Sequence, residues 1–317
     1  MMFSKTLAPD DEQFSSILIV GASGFLGSNI LLALQSHGNC VAHSSVHKIK
    51  CPGINSVRAD LRIRNSALEL VQKINPVLVI NCAALANIEY CERDPGLAFR
   101  LNTEMPIELA NGCSNVGAQF VHVSTDAVFS GEMESYNIGD TTNPINVYGT
   151  TKARAEESIM ETLPSGLIIR TNIIGWSPTG SRSLLEFFVH SLLKESTCNG
   201  FFDSFFRPIA AQNFWPITRD WLGTHKTGIM HAFGSELISK YEFGCRVARS
   251  LHADPNLVVP TSMEKNFETN ARGKSLNLLP SDVLNPDLID IDCSLTQLQK
   301  LANSGYQESL KQILGTR

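Results

Sequence analysis

The sequence predicts an α/β protein whose parallel, doubly wound sheet leads into a smaller C-terminal region. Three observations carry that expectation. Short apolar or β-branched runs alternate with helical stretches: ILIV at 17–20, VLVI at 77–80, FVHV at 120–123 and GLIIR at 166–170. The first run passes straight into a glycine-rich turn, GASGFLG at 21–27. The fifth strand delivers Ser124, Thr125 and Asp126 at its C-terminal end, where open α/β sheets bind ligands.

In chain order, residues 1–16 read as a polar N-terminal arm. After the 17–20 strand, G-x-x-G-x-x-G opens a helix over 28–36, with His37-Gly38 as its C-cap signal. Glycines in a strand-turn-helix context let the backbone turn tightly and approach a pyrophosphate at the helix N-terminus. Gly21, Ser23, Gly24, Phe25, Leu26 and Gly27 are therefore assigned to cofactor binding. A plain tight turn is the simpler alternative.

The second strand, 40–43, is followed by Ser44-Ser45-Val46-His47-Lys48. An acid commonly stands here to hold the ribose 2′-hydroxyl of NAD, and this chain has none. Ser44, Ser45 and Lys48 suit a 2′-phosphate, so NADPH is expected over NADH. A third strand, 57–59, ends at Asp60 and Leu61, placed for the adenine, and a helix follows over 66–74. The fourth strand ends in Cys82, Ala83 and Ala84, small enough to pass close to the cofactor ribose. Asp94-Pro95 reads as a helix start. Asn102, inside that helix, either buttresses the active-site lysine through water or caps a break before Pro106.

Beyond Asp126 a polar loop leads to Pro144, read as the helix entry, then to Tyr148 and Lys152. Spacing of i, i+4 puts both on one helix face. Alone, that pair is usually a solvated neighbour pair; beside the strand end and glycine turn it suits ketone reduction. A phenol is a weak acid near pKa 10, and an adjacent ammonium would lower it for proton donation. Past Gly175 the pattern changes: an amphipathic helix at 184–194, then aromatics at 201–206 and Phe214-Trp215, whose faces beside Arg207 and Arg182 suit stacking a base and holding a diphosphate, or else pack within the smaller region. A return strand at 228–232, a helix at 239–250, a strand-like piece at 275–280 and a closing helix at 296–314 complete the chain. The expected division is 17–175 for the dinucleotide, with the return strand near 228–234, and 176–317 mainly for the substrate.

Composition limits the function. Of 317 residues, 43% are hydrophobic and 18% charged, with net charge -5 and pI about 5.9, so no basic nucleic-acid footprint is present. The eight cysteines show no Cys-x-x-Cys spacing, as for reduced thiols in a cytoplasm. The N-terminal stretch lacks an apolar signal core, and no run reaches membrane-spanning length. His43 and His47 lack further ligands and are read as surface-loop residues, so no metal is expected.

Several segments together carry a resemblance: GASGFLG (21–27), PVLVINCAA (76–84), LN (101–102), GAQFVHVSTDAVFSG (117–131), PINVYGTTKARAE (144–156), IIRTNIIG (168–175) and GIMHAFG (228–234). They resemble the extended short-chain dehydrogenase/reductases, and more narrowly the dTDP-4-dehydrorhamnose reductase branch. The resemblance implies a Rossmann fold and NADPH-dependent reduction of a 4-keto group on a nucleotide-linked deoxysugar. It implies Thr125, Tyr148 and Lys152 as catalytic groups, with Lys152 also gripping the nicotinamide ribose. Asp126, Asn172 and Arg207 fall where the family meets its sugar nucleotide, and a homodimer is expected. The chain departs from the pattern at Glu89, Ala127 and Ser130, which bears on the sugar more than on the chemistry. The same branch includes the regulatory β subunit of methionine adenosyltransferase, so a non-catalytic NADP-binding role competes. The cofactor expectation is tested by kcat/KM: NADPH should exceed NADH by about tenfold or more, given the missing acid, and equal efficiencies would refute it.

Overall fold

The computed structural model describes residues 14–35, 39–46, 48–263, 272–281 and 284–314. Seven parallel strands form the central sheet: β1 (Ile17–Val20), β2 (Cys40–Ser44), β3 (Asn55–Arg58), β4 (Leu78–Asn81), β5 (Gln119–Thr125), β6 (Leu167–Thr171) and β7 (Gly228–Ala232). Their order is β7-β6-β5-β4-β1-β2-β3. The winding reverses between β1 and β4, which pair from Ile17↔Leu78 to Val20↔Asn81. A crevice therefore opens at the C-terminal strand ends on that line.

The inner strands are apolar throughout because helices cover both faces. Alternate residues feed two cores. Ile17, Ile19, Ile80 and Val121 pack towards α1 (Phe25–Ala33) and the C-terminal region. Leu18, Val20, Val79 and Phe120 pack towards α2 (Ser66–Ile74), α3 (Met105–Val116) and α4 (Val147–Thr162). Later helices are α5 (Leu184–Leu193), α6 (Phe214–Gly223), α7 (Lys240–Ser250), α8 (Ile291–Ala302) and α9 (Tyr306–Ile313). No helix among the described residues is long and apolar enough to cross a membrane.

Element boundaries differ from expectation for local reasons. Helix α1 begins at Phe25, inside the glycine turn, because Gly24 already has extended N-cap geometry; the predicted cap at His37-Gly38 lies outside the described residues. Helix α4 starts at Val147, where the Asn146 side chain accepts from Gly149 N at 2.7 Å. A side-chain cap, not Pro144, sets that entry. Strand β5 runs on through Thr125, which pairs with Thr171 of β6. The break anticipated before Pro106 is a π-helical turn, Arg100–Glu104, that continues directly into α3. Asp94 does cap a short helix, Pro95–Phe99, through Leu97 N at 2.9 Å. The 275–280 segment makes single bridges (Tyr136↔Leu278, Phe205↔Ser275) in place of a strand. The single closing helix is two, α8 and α9, separated where Gly305 takes φ 78°.

Candidate active site

A cavity of about 620 Å³ lies along the crevice. Its floor is Gly21, Ser23 and Gly24, its sides Ser44, Ser45 and Leu61, and its far wall Cys82, Ala83 and Ala84. The sequence expectation assigns these residues to the cofactor. Gly21 has φ +78°, and a Cβ there would stand 2.7 Å from Ala83 N. A Cβ on Gly27 would stand 2.4 Å from the Gly21 carbonyl oxygen. Side chains at either position would push the turn apart. No side chain caps α1, so its first N–H groups face the crevice without a protein acceptor from the cap residue. That is the local chemistry a pyrophosphate needs.

His43 was read as a surface-loop residue; it is instead buried on β2. Its Nε2 lies 3.0 Å from Ala59 O and its Nδ1 3.4 Å from Gly21 N. An Nε2–H tautomer satisfies both, donating to the carbonyl and accepting the turn's N–H. Burial holds its pKa below the ordinary histidine value. The ring thereby ties the glycine turn to Ala59, just after β3. Lys48 is exposed and does not line the cavity, and His47 lies outside the described residues. The cavity cation is Arg182, from the segment before α5. Glu186, the third residue of the Ser183 capping box, fixes that segment by accepting from Arg182 N at 2.7 Å. Arg182, read from the sequence as a grip for a diphosphate, reaches the cavity from about 160 residues beyond the turn it faces. Asp60 pairs with Arg62 at 2.6 Å, which holds its carboxyl down at about 2. Leu61, not Asp60, lines the cavity.

At the C-terminal end of β5, Thr125, Asp126, Tyr148 and Asn172 come together. The Thr125 hydroxyl donates to Asp126 Oδ1 at 3.0 Å and accepts from Ala127 N at 3.2 Å. Asn172 Nδ2 donates to Asp126 Oδ2 at 2.6 Å. Burial raises the Asp126 pKa against the opposing pull of those two donors. Tyr148 hydrogen-bonds to Thr125. The expected lowering of the Tyr148 phenol by Lys152 is not what the site does. Burial pushes that phenol up, while Lys152 Nζ is engaged by Val123 O at 2.7 Å and His122 Nε2 at 2.8 Å. Burial also brings the Lys152 amino group down to about 8.

The Asn102 amide bonds Leu85 N at 2.7 Å, Leu85 O at 3.0 Å and Thr151 Oγ1 at 3.1 Å, so it ties the π-turn to α4 directly. Arg207 is anchored by Asn277 Oδ1 and Ser235 O, each at 2.6 Å. Lys240, at the start of α7, went unnoticed in the sequence; its charge acts on Asp126, and burial brings it down to about 8. Glu89 is paired with Arg272 at 2.6 Å.

Under this surface lies a charged pair. Glu156 of α4 meets Arg170 of β6 at 2.7 Å, both side chains only 2% exposed. Ser124 donates to the same carboxylate, and the Arg170 guanidinium lies 5.0 Å from the Phe129 ring centroid.

A family model described as the RmlD substrate binding domain matches residues 15–285. The chain belongs to that family. Among its RmlD-family relatives is a protein of Haloferax volcanii named a probable low-salt glycan biosynthesis reductase, 29% identical over 252 residues, covering 77% of this chain and 83% of that one. Another, from Streptomyces antibioticus, is named a probable dTDP-4,6-dihydroxy-2-methyloxan-3-one 4-ketoreductase; it is 31% identical over 256 residues, covering 77% and 80%. The fold matches that of dTDP-4-dehydrorhamnose reductase from Bacillus anthracis, solved in complex with NADP, at a TM-score of 0.74 and 21% identity over 95% of this chain and 98% of that one.

Replacing Glu156 by Gln should leave Arg170 buried without a counter-charge. We expect a stability loss of about 3–5 kcal/mol, read from urea unfolding midpoints; a loss within about 0.5 kcal/mol would show the pair to be dispensable.

Proposed function

We propose that this chain is an NADPH-dependent reductase of a 4-keto group on a nucleotide-linked deoxysugar, of the dTDP-4-dehydrorhamnose reductase type. The observation that carries the reading is the meeting of Tyr148, Thr125 and Asp126 at the C-terminal end of β5, on the same sheet whose β1–β4 switch point carries the glycine-turn cavity. The Gly21–Gly27 turn would hold the pyrophosphate, Ser44, Ser45 and Arg182 the adenosine 2′-phosphate, and Cys82 to Ala84 the ribose side. Bound there, the nicotinamide supplies hydride to the keto carbon.

The chain's own groups handle the proton. Burial keeps the Tyr148 hydroxyl protonated well past neutrality, so it is a donor poised for the oxygen on which negative charge grows. Thr125 stands beside it, its hydroxyl proton directed at Asp126 and its oxygen beside the phenol, where it helps position the reacting keto oxygen. Stabilising the new alkoxide by fixed donors is the larger part of the rate gain. Asp126 and Asn172 would orient sugar hydroxyls, with Lys240 and Arg207 near the nucleotide.

On this reading residues 17–175 with β7 form the cofactor-binding part and 176–317 mainly the substrate-binding part. A cytoplasmic setting is supported by the eight free cysteines, and a homodimer is part of the same proposal. The competing reading, a non-catalytic regulatory subunit, draws no support from the relatives named above, which carry reductase names.

The test is NADPH oxidation with a panel of dTDP- and UDP-linked 4-keto sugars. Tyr148→Phe should lower kcat by about 10²–10⁴ while the Kd for NADPH, from cofactor fluorescence, stays unchanged. Near-normal turnover in that variant would reject the assignment.

A further inference from the structure

Arg207 stands beside the Asp126 cluster with its charge unbalanced. Two residues on, Ile209 donates its N–H to the Asn172 carbonyl at 2.9 Å, and the Asn172 side chain holds Asp126. Just before it, Phe205 and Phe206 pair with Ser239 and Ile238, which lead into Lys240. Its chain neighbours therefore tie Arg207 to the site from both sides.

The partners of this half-buried guanidinium are all neutral. Nε donates to Asn277 Oδ1 at 2.6 Å; Nη1 donates to Ser235 O at 2.6 Å and Gly234 O at 3.3 Å. Nη2 donates to no protein group among the described residues. Glu236 is the acid whose charge acts on Arg207, but its two oxygens are taken by Arg246, at 2.6 and 2.8 Å. A cation withdrawn from water normally gains a carboxylate. Here amide and carbonyl oxygens fix its direction and leave its charge intact, which presents an anion with donors already aimed. A second cation, Lys240, belongs to the same cluster, so the anion that suits the place carries more than one negative charge.

Asn277 decides the arrangement. Its Nδ2 donates to Glu134 O at 2.7 Å, in the loop after β5, so the amide must turn Oδ1 to Arg207. Its backbone is held too: Tyr136 N donates to Asn277 O and Leu279 N to Tyr136 O, each at 2.9 Å. Tyr136 is itself buried, its hydroxyl oxygen receiving the N–H groups of Gly131 and Glu132 at 2.9 Å. An acid of the same shape at 277 would still accept from Nε. It would also cancel the cation and meet Glu134 O without a donor.

We propose that Asn277 is a positioning residue for substrate binding, aiming Arg207 without neutralising it so that Nη2 meets the diphosphate of a nucleotide-linked substrate. The substrate's identity rests on the reductase reading; the binding of a nucleoside diphosphate needs no turnover.

The test is calorimetric binding of dTDP, UDP, ADP and GDP to the full chain with NADPH present, using the matching nucleosides as uncharged probes. Asn277→Asp should raise the Kd of the best-bound diphosphate by about tenfold or more, the scale of one charge-assisted hydrogen bond. The Kd values of its nucleoside and of NADPH should stay unchanged. Asn277→Ala should weaken the diphosphate as well, yet add no loss in an Arg207→Ala background, because both changes act through one guanidinium. With a 4-keto sugar that is turned over, KM should rise by the same factor as Kd while kcat holds.

An Asn277→Asp variant that is folded by circular dichroism and binds the diphosphate as well as wild type overturns the proposal. So does a wild-type chain that binds none of these diphosphates, or a double variant whose losses add. Loss of folding in both Asn277 variants marks a merely structural residue and overturns it too. If the diphosphate shifts appear but no keto sugar is reduced, the reductase reading fails and the role of Asn277 stands.

Discussion

The Glu156–Arg170 pair is the constraint on which the arrangement of the candidate site depends. Two opposite charges with almost no exposure are costly to bury, and together they are tolerated only with close geometry and further hydrogen bonds. Both conditions are met: the carboxylate takes Arg170 through Nε and Nη2 and also receives Ser124, while the guanidinium bonds His231 at 3.3 Å and faces the Phe129 ring. The pair fixes α4 against β5 and β6 at one rotation. Lys152 and Tyr148 lie one and two turns before Glu156 on that helix, so their directions follow from it.

The second constraint is close backbone approach. Gly149, between Asn146 and Lys152, has no room for a Cβ: one would stand 2.1 Å from the Ala127 carbonyl oxygen. The loop after β5 can therefore press against the start of α4, which lets Thr125 reach Tyr148. Gly21 and Gly27 perform the same service in the turn after β1. At both places the sequence supplies glycine where the main chains touch.

Much of this could be read before the structure was seen, and the reasons are local. The apolar runs of β1, β4, β5 and β6 and the strand-turn-helix placement of GASGFLG depend on adjacent residues only. So does the i, i+4 relation of Tyr148 to Lys152. What escaped reading depends on partners far away in the chain. Arg182 was legible as an anion grip, but its place in this cavity follows only when the segment before α5 folds back over the glycine turn. Lys240 acquires its role from Asp126, more than a hundred positions earlier. The lowering of Tyr148 by its lysine neighbour failed as an expectation because spacing along a helix says nothing about depth. At that depth the amino group is engaged by His122 and Val123 O.

The π-turn at Arg100–Glu104 has a consequence for how this protein tolerates change. It accommodates one residue more than an α-helical path would, and each residue of an α-helix advances the following side chains by about 100°. Deleting a single residue there would regularise the helix and improve its hydrogen bonding. It would also swing Asn102 out from between Leu85 and Thr151, severing the loop after β4 from the lysine-bearing helix. An apparent defect in the main chain is thus the joint through which two sides of the crevice keep their spacing, and shortening it would trade local regularity for a loosened cleft.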